Sequence, residues 1–276
     1  MDKERGMLIA GNWKMNMIGA DTQAYFEFLF SPMNLGELGA PAVGLLRKDV
    51  LKAAIFAPSL TLEKAITQSR LGMFKVAIGA QSAHWEKSGA FTGEVSGPML
   101  ADLGIKLALV GHSERRQYFG ETDETARKRT ESLLSQGFKV VHCIGETKAE
   151  RAAGKTFEVL TRQIQSLIPN TEAPVCMSLD GRLIIAYEPV WAIGTGVNAT
   201  PVEIQEAHSF IRDLIAKQAG QTAANKTPLL YGGSVTVENS AAIFECSEVD
   251  GALVGGTSLK ADEFLKLLAT ASKTLL

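Results

Sequence analysis

Short apolar runs recur along the whole chain: Met7–Ala10, Ala53–Ala57, Val76–Ala80, Leu107–Val110, Val140–Ile144, Leu183–Tyr187, Leu229–Tyr231 and Ala252–Val254. Most are four to six residues of Ile, Val, Leu and Ala without polar alternation. That is the pattern of strands buried on both faces, as in a parallel sheet. Amphipathic stretches lie between most of them. In Thr200-Pro201-Val202-Glu203 a Thr N-cap, a Pro at the first helical position and a Glu that closes a capping box predict a helix start. Ile204, Ala207, His208, Ile211 and Ile215 then recur at helical spacing. A second helix is predicted over Asp123–Gln136, stopped by Gly137.

Eight strands in 276 residues give a repeat of roughly 34, the size of a βα unit. The fold class is therefore α/β, read as a single (β/α)8 barrel domain over residues 1–276; a doubly wound sheet competes on pattern alone. Residues 31–52 fit the repeat badly. They are punctuated by Gly and Pro and read as an insertion on the outer face.

Composition narrows the picture. The chain has 28 Lys+Arg, 30 Asp+Glu and a net charge of −2. Such a balance argues against nucleic acid or an anionic membrane as main partner, so an anionic ligand must be met by a few local groups. Hydrophobic residues at 46% exclude a disordered chain. No apolar stretch approaches a membrane span, and the N-terminus does not read as a signal peptide. Cys143, Cys176 and Cys246 are scattered and read as free thiols of a reducing, cytoplasmic compartment.

In a (β/α)8 barrel the active site lies at the C-terminal strand ends. Asn12 and Lys14 follow the first strand, His112-Ser113-Glu114 the fourth, Glu188 the sixth, Gly232-Gly233-Ser234 the seventh and Gly255-Gly256 the eighth. Glu188, desolvated at the end of an apolar strand, is a candidate base. His112 opens a helix, where a neutral imidazole is favoured over imidazolium. Lys14 is a candidate anion clamp, and the glycine pairs can bring backbone N–H groups close to a phosphate. His84, His142 and His208 read as structural. Gly194-Thr195-Gly196-Val197-Asn198-Ala199 matches a dinucleotide fingerprint in letters, but it is too far from the strand end and reads as a lid.

The runs GNWKMN (11–16), GAFTGE (89–94), GHSERR (111–116), CIGE (143–146), AYEPVWAIGTG (186–196) and YGGSV (231–235) span nearly the whole chain, in order. They resemble the triosephosphate isomerase family. The resemblance implies cofactor- and metal-independent interconversion of dihydroxyacetone phosphate and glyceraldehyde 3-phosphate through an enediolate. Glu188 would be the base, His112 the electrophile, Lys14 and Asn12 the stabilisers of the enediolate, and Glu114 an aid to positioning or proton transfer. Asn12 and Lys14 would also contact substrate. N–H groups of Gly194, Ser234, Gly255 and Gly256 would hold its phosphate. Ala192, Ile193, Gly194, Thr195, Gly196 and Val197 would form the lid, held shut by Tyr231 and Ser234. The family's habit implies a homodimer, with Thr92 reaching toward the partner's site. Ser82 stands where the family usually has Asn, so the bonding around Lys14 is open there. Two rivals remain: a Schiff-base aldolase using Lys14, and a silent sugar-phosphate-binding protein.

Overall fold

The computed structural model describes residues 5–168, 181–193 and 198–276. Eight parallel strands close on themselves in chain order: β1 (Met7–Asn12), β2 (Leu51–Ala57), β3 (Val76–Ala80), β4 (Leu107–Val110), β5 (Lys139–Ile144), β6 (Leu183–Tyr187), β7 (Leu229–Tyr231) and β8 (Gly251–Val254). Closure pairs Leu8 with Gly251 and Gly11 with Val254. The doubly wound alternative is excluded, because a closed sheet has no switch point.

The barrel explains why the strands lack polar alternation. One set of side chains, including Ala10, Phe56, Leu109, Val141, Cys143 and Leu253, packs inside the barrel. The alternate set, including Ile9, Ile55, Val140 and Ile185, packs outward with the surrounding helices. Both faces are dry, so both must be apolar. Inside, large and small residues complement each other: a Cβ on Gly79 would lie 2.6 Å from the Phe56 ring, so the smallest residue faces the largest.

The expected capping box is formed. Thr200 Oγ1 accepts from Glu203 N, and the Glu203 carboxylate accepts from Thr200 N at 2.8 Å, starting the helix Pro201–Ala219. The helix predicted to end at Gln136 runs Asp123–Ser135. Residues 31–52 are not a plain loop. They form the helices Pro32–Leu38 and Ala40–Arg47, which pack against the C-terminal helix Ala261–Thr274, and Leu51 and Lys52 already belong to β2.

The loop after β1 is pinned from below. Trp13 is fully buried, donates its indole N–H to Ser258 O at 3.2 Å and meets Tyr25 edge-on at 5.1 Å. Burying an aromatic of this size contributes on the order of 2 kcal/mol. It fixes the next residue, Lys14, against the barrel mouth. No described helix is long and apolar enough to cross a membrane.

Candidate active site

At the C-terminal mouth, a cavity of about 220 Å³ is bordered by Asn12, Lys14, His112, Glu188, Ile193, Ser234, Gly255 and Gly256, among others. The structure thus brings together residues from β1, β4, β6, β7 and β8 that are up to 244 positions apart in sequence.

Lys14 adopts a positive φ of 52°, an uncommon conformation for a residue with a Cβ. Three bonds hold it there. Its N–H donates to Asn12 Oδ1 at 3.0 Å, its carbonyl accepts from Gln81 Nε2 at 2.8 Å, and its Nζ pairs with Glu114 Oε1 at 2.7 Å. The Glu114 carboxylate thus engages the Nζ that a Schiff-base lysine needs free to attack a carbonyl. The aldolase reading therefore loses its chemistry. Gln81 does the work that was open at Ser82, whose own hydroxyl is buried without a hydrogen-bond partner.

His112 is the N-cap of the short helix Ser113–Tyr118. Its Nδ1 accepts from Glu114 N at 3.3 Å, so the ring carries its proton on Nε2. That nitrogen lies 3.2 Å from Glu188 Oε1. The other Glu188 oxygen accepts from Ser113 N at 2.9 Å. Glu188 is almost wholly buried yet borders the cavity. Its carboxylate is thus held by two donors, one of them on the ring it would work beside. Behind it stands Gly232: a Cβ there would lie 2.8 Å from Glu188 Cγ, so that position has room for no side chain.

Opposite, the N–H groups of Ser234, Gly255 and Gly256 take no acceptor among the described residues. They border the same cavity as Lys14 and form the donor set a phosphate needs. Ser234 Oγ donates to Ala192 O at 2.6 Å, which ties the loop after β7 to the turn Val190–Ala192. Of the residues expected to form a lid, Ile193 borders the cavity and Ala192 is buried in the turn before it; Gly194, Thr195, Gly196 and Val197 lie outside the described residues, as does Cys176.

The other histidines are structural. His142 is fully buried against Thr130 Oγ1 at 2.8 Å, and burial with nearby Arg116 pushes its pKa down to about 3. His84 accepts from Glu86 N and stacks between Trp85 and Phe91, and His208 is buried beside Tyr187 and Tyr231. Thr92 lies in an exposed loop away from the cavity lining. Cys143 and Cys246 are buried and form no disulfide among the described residues; burial and the neighbouring Glu188 push the Cys143 thiol up. Among the described residues no three His, Cys, Asp or Glu side chains converge as a metal would require.

Sequence reasoning missed Glu146. This fully buried carboxylate accepts from Trp191 Nε1 at 2.9 Å, Tyr187 OH at 3.2 Å and Thr156 Oγ1 at 3.2 Å. It anchors the turn that carries Ala192 and, with Arg151 over the Trp191 ring at 5.1 Å, fixes where the lid segment begins. The available signal was its place at the end of an apolar strand, the same signal that singled out Glu188.

Comparison with known proteins agrees with this geometry. The sequence profile of the Triosephosphate isomerase family matches residues 7–271. The triosephosphate isomerase of Acidithiobacillus ferrooxidans is 43% identical over 273 residues, 97% of each chain. That of Geobacter metallireducens is 42% identical over 260 residues, covering 94% of this chain and 96% of its own. That of Moorella thermoacetica is 42% identical over 264 residues, covering 96% and 98%. With a matching profile over nearly its full length, a closed eight-stranded barrel and the family's motif residues gathered at one mouth, the chain belongs to the triosephosphate isomerase family.

Proposed function

We propose that the chain interconverts dihydroxyacetone phosphate and D-glyceraldehyde 3-phosphate, with Glu188, His112, Lys14 and Asn12 as catalytic residues. The observation that carries the reading is the pairing of Glu188 with His112 Nε2 at 3.2 Å on the wall of a cavity whose far side offers Ser234, Gly255 and Gly256 N–H groups. Phosphate binds to those donors and to Lys14, with the N–H of Gly194 completing the set. The substrate carbonyl then competes with Glu188 for the Nε2 proton of His112. Glu188, released from that contact and from Ser113 N, removes the proton from C1. The C–H electron pair becomes the C1=C2 bond, and charge builds on the C2 oxygen. His112 Nε2–H, Asn12 and the Lys14 ammonium stabilise that charge. A neutral imidazole at a helix N-terminus is the arrangement for which this family is the standard example. The C2 oxygen then takes a proton and O1 gives one up, a net O1-to-O2 transfer passed through His112, and Glu188 returns its proton to C2, which leaves the C1 aldehyde and the C2 hydroxyl. Every step is carried by side chains, so the reaction needs no metal or cofactor.

Glu114 sets the position of the Lys14 ammonium through their 2.7 Å pair. Ser234 and Tyr231 hold the lid over Ala192–Val197, which shields the enediolate from water and from loss of phosphate. We also infer one barrel domain, to which the helices Pro32–Leu38 and Ala40–Arg47 are an addition, acting as a homodimer in the cytoplasm. Exposed Met15, Leu60 and Phe91, with Thr92, supply an apolar and loop surface suited to a partner, and three cysteines scattered along the sequence suit a reducing compartment. A monomer at micromolar concentration in sedimentation velocity would overturn the dimer.

The test is a coupled assay of glyceraldehyde 3-phosphate conversion on wild type beside Glu188→Gln. Fast turnover lost in the variant supports reaction, substrate and base together. A wild type without turnover that still binds phosphate would make this a silent binding protein.

A further inference from the structure

A larger cleft, about 680 Å³, opens at the opposite end of the barrel, where the strands begin. Its size falls within the roughly 300–1,000 Å³ of small-molecule sites. Its floor is apolar, with Ile66, Phe74, Ile78 and Leu107. Its rim carries Arg70, Lys75, Lys106, Lys139 and Arg182, and no Asp or Glu is among its described lining residues. Lys75 and Lys106 immediately precede β3 and β4, and Lys139 opens β5, so one cation stands at the start of each of three neighbouring strands. The registers that pair Ala80 with Ala108 and Leu107 with Lys139 stagger these cations along the lower rim, so they form a spread positive edge to the cleft.

A simpler account is that the cations answer helix C-terminal carbonyls, which collect at this end of a barrel. It covers two of the five. Lys106 Nζ donates to Gln136 O at 3.1 Å, and Arg182 Nη1 to Leu134 O at 3.0 Å. Arg70, Lys75 and Lys139 make no ion pair or side-chain hydrogen bond among the described residues. The cleft adjoins a space of about 100 Å³ that shares Lys75 and Lys139. Its two carboxylates are already matched, Asp49 by Lys52 at 4.0 Å and Asp250 by Arg5 at 2.9 Å. With five cations and no carboxylate in its described lining, the hollow carries charge of one sign around an apolar floor.

We propose that this cleft binds a small organic polyanion, two or more linked phosphates joined to an apolar or ring moiety, of the nucleoside polyphosphate class. The rim takes the phosphates and the apolar floor takes the ring. The cleft is separate from the cavity of Glu188 and shares no residue with it, so the inference stands whether or not the isomerase reading does.

Isothermal titration of the full chain with magnesium-free ATP at low salt tests it. The expected result is one ATP per chain, with AMP binding at least tenfold more weakly. Lys75→Gln/Lys106→Gln/Lys139→Gln, with its fold checked by circular dichroism, should lose at least tenfold in affinity, while Lys14→Met binds as wild type. Should the triple variant not fold, Arg70→Gln alone should weaken binding threefold or more. No saturable binding, loss of binding in Lys14→Met with retention in the triple variant, inorganic tripolyphosphate binding as tightly as ATP, or a single-stranded oligonucleotide binding more tightly would each overturn the proposal.

Discussion

Glu146 follows the end of β5 and Glu188 follows the end of the neighbouring β6, both almost wholly removed from solvent. Their surroundings differ in kind. Glu146 is enclosed by Trp191, Tyr187 and Thr156, with Arg151 3.9 Å away, and borders no part of the catalytic cavity. Glu188 has two donors, a backbone N–H and an imidazole, and one face on the cavity. Burial alone therefore does not make a carboxylate a base. What distinguishes Glu188 is its face on the cavity, whereas Glu146 is enclosed by partners that belong to the packing.

The comparison breaks most sharply in activity. Glu188→Asp, which draws the carboxylate back by about 1 Å, should keep its thermal midpoint and lose roughly 10²-fold in kcat. Turnover within threefold of wild type would remove Glu188 as the base. Gly232→Ala sharpens the same point from behind. Its methyl group meets Glu188 Cγ at 2.8 Å, and we expect about a tenfold fall in kcat with a smaller change in KM. Unchanged kinetics would mean that the carboxylate is not held to a narrow position.

Glu146→Gln should do the reverse. Hydrogen bonds to a charged group contribute about 1.5–3 kcal/mol, so urea unfolding should show a loss of about 2 kcal/mol while kcat falls less than tenfold. A variant with wild-type stability and no activity would put Glu146 in the reaction. An effect with no bearing on activity at neutral pH concerns His142, whose ring resists protonation until about pH 3 against an ordinary value of 6.5. Below pH 6.5 the unfolded chain gains a proton there that the folded chain refuses. Stability therefore falls as pH drops from 6.5 toward 3, by up to about 1.4 kcal/mol per pH unit from this group. His142→Gln should remove that slope from denaturation curves at pH 4–6; an unaltered slope would show that other groups carry the acid sensitivity.

The strands were legible because a barrel wall is apolar on both faces, leaving unbroken runs such as Leu183–Tyr187 that match the observed element. Thr200 and Glu203 marked a helix start through a local bond that needs no tertiary help. The helices Pro32–Leu38 and Ala40–Arg47 were not legible. Gly36, Gly39 and Gly44 read as turns, but each proline falls in a helix's first turn, where its missing N–H costs nothing, and packing on Ala261–Thr274 does the rest. In the site, side-chain identity at strand ends was enough to single out Asn12, Lys14, His112 and Glu188, which border one cavity. The Ser113 N–H on Glu188 and the Gln81 amide on Lys14 were invisible, since a backbone donor has no letter and a glutamine's partner is set by the fold.

Barrel closure has a consequence for how the chain is made. β1 is the first strand synthesised, yet one of its edges pairs only with β8, which begins 244 residues later. The buried Asp250 that accepts from Arg5, Arg212 and Leu229 N arrives equally late. At roughly 5–20 residues per second, a growing chain exposes that edge for on the order of 10 s or more. Until then the Trp13 indole lacks its Ser258 carbonyl, and Lys14 lacks the floor that presents it to the cavity. A nascent chain stopped short of β8 therefore holds Asn12, Lys14, His112 and Glu188 and an open sheet edge, a form for chaperones to guard, with the cavity between those side chains still unbuilt.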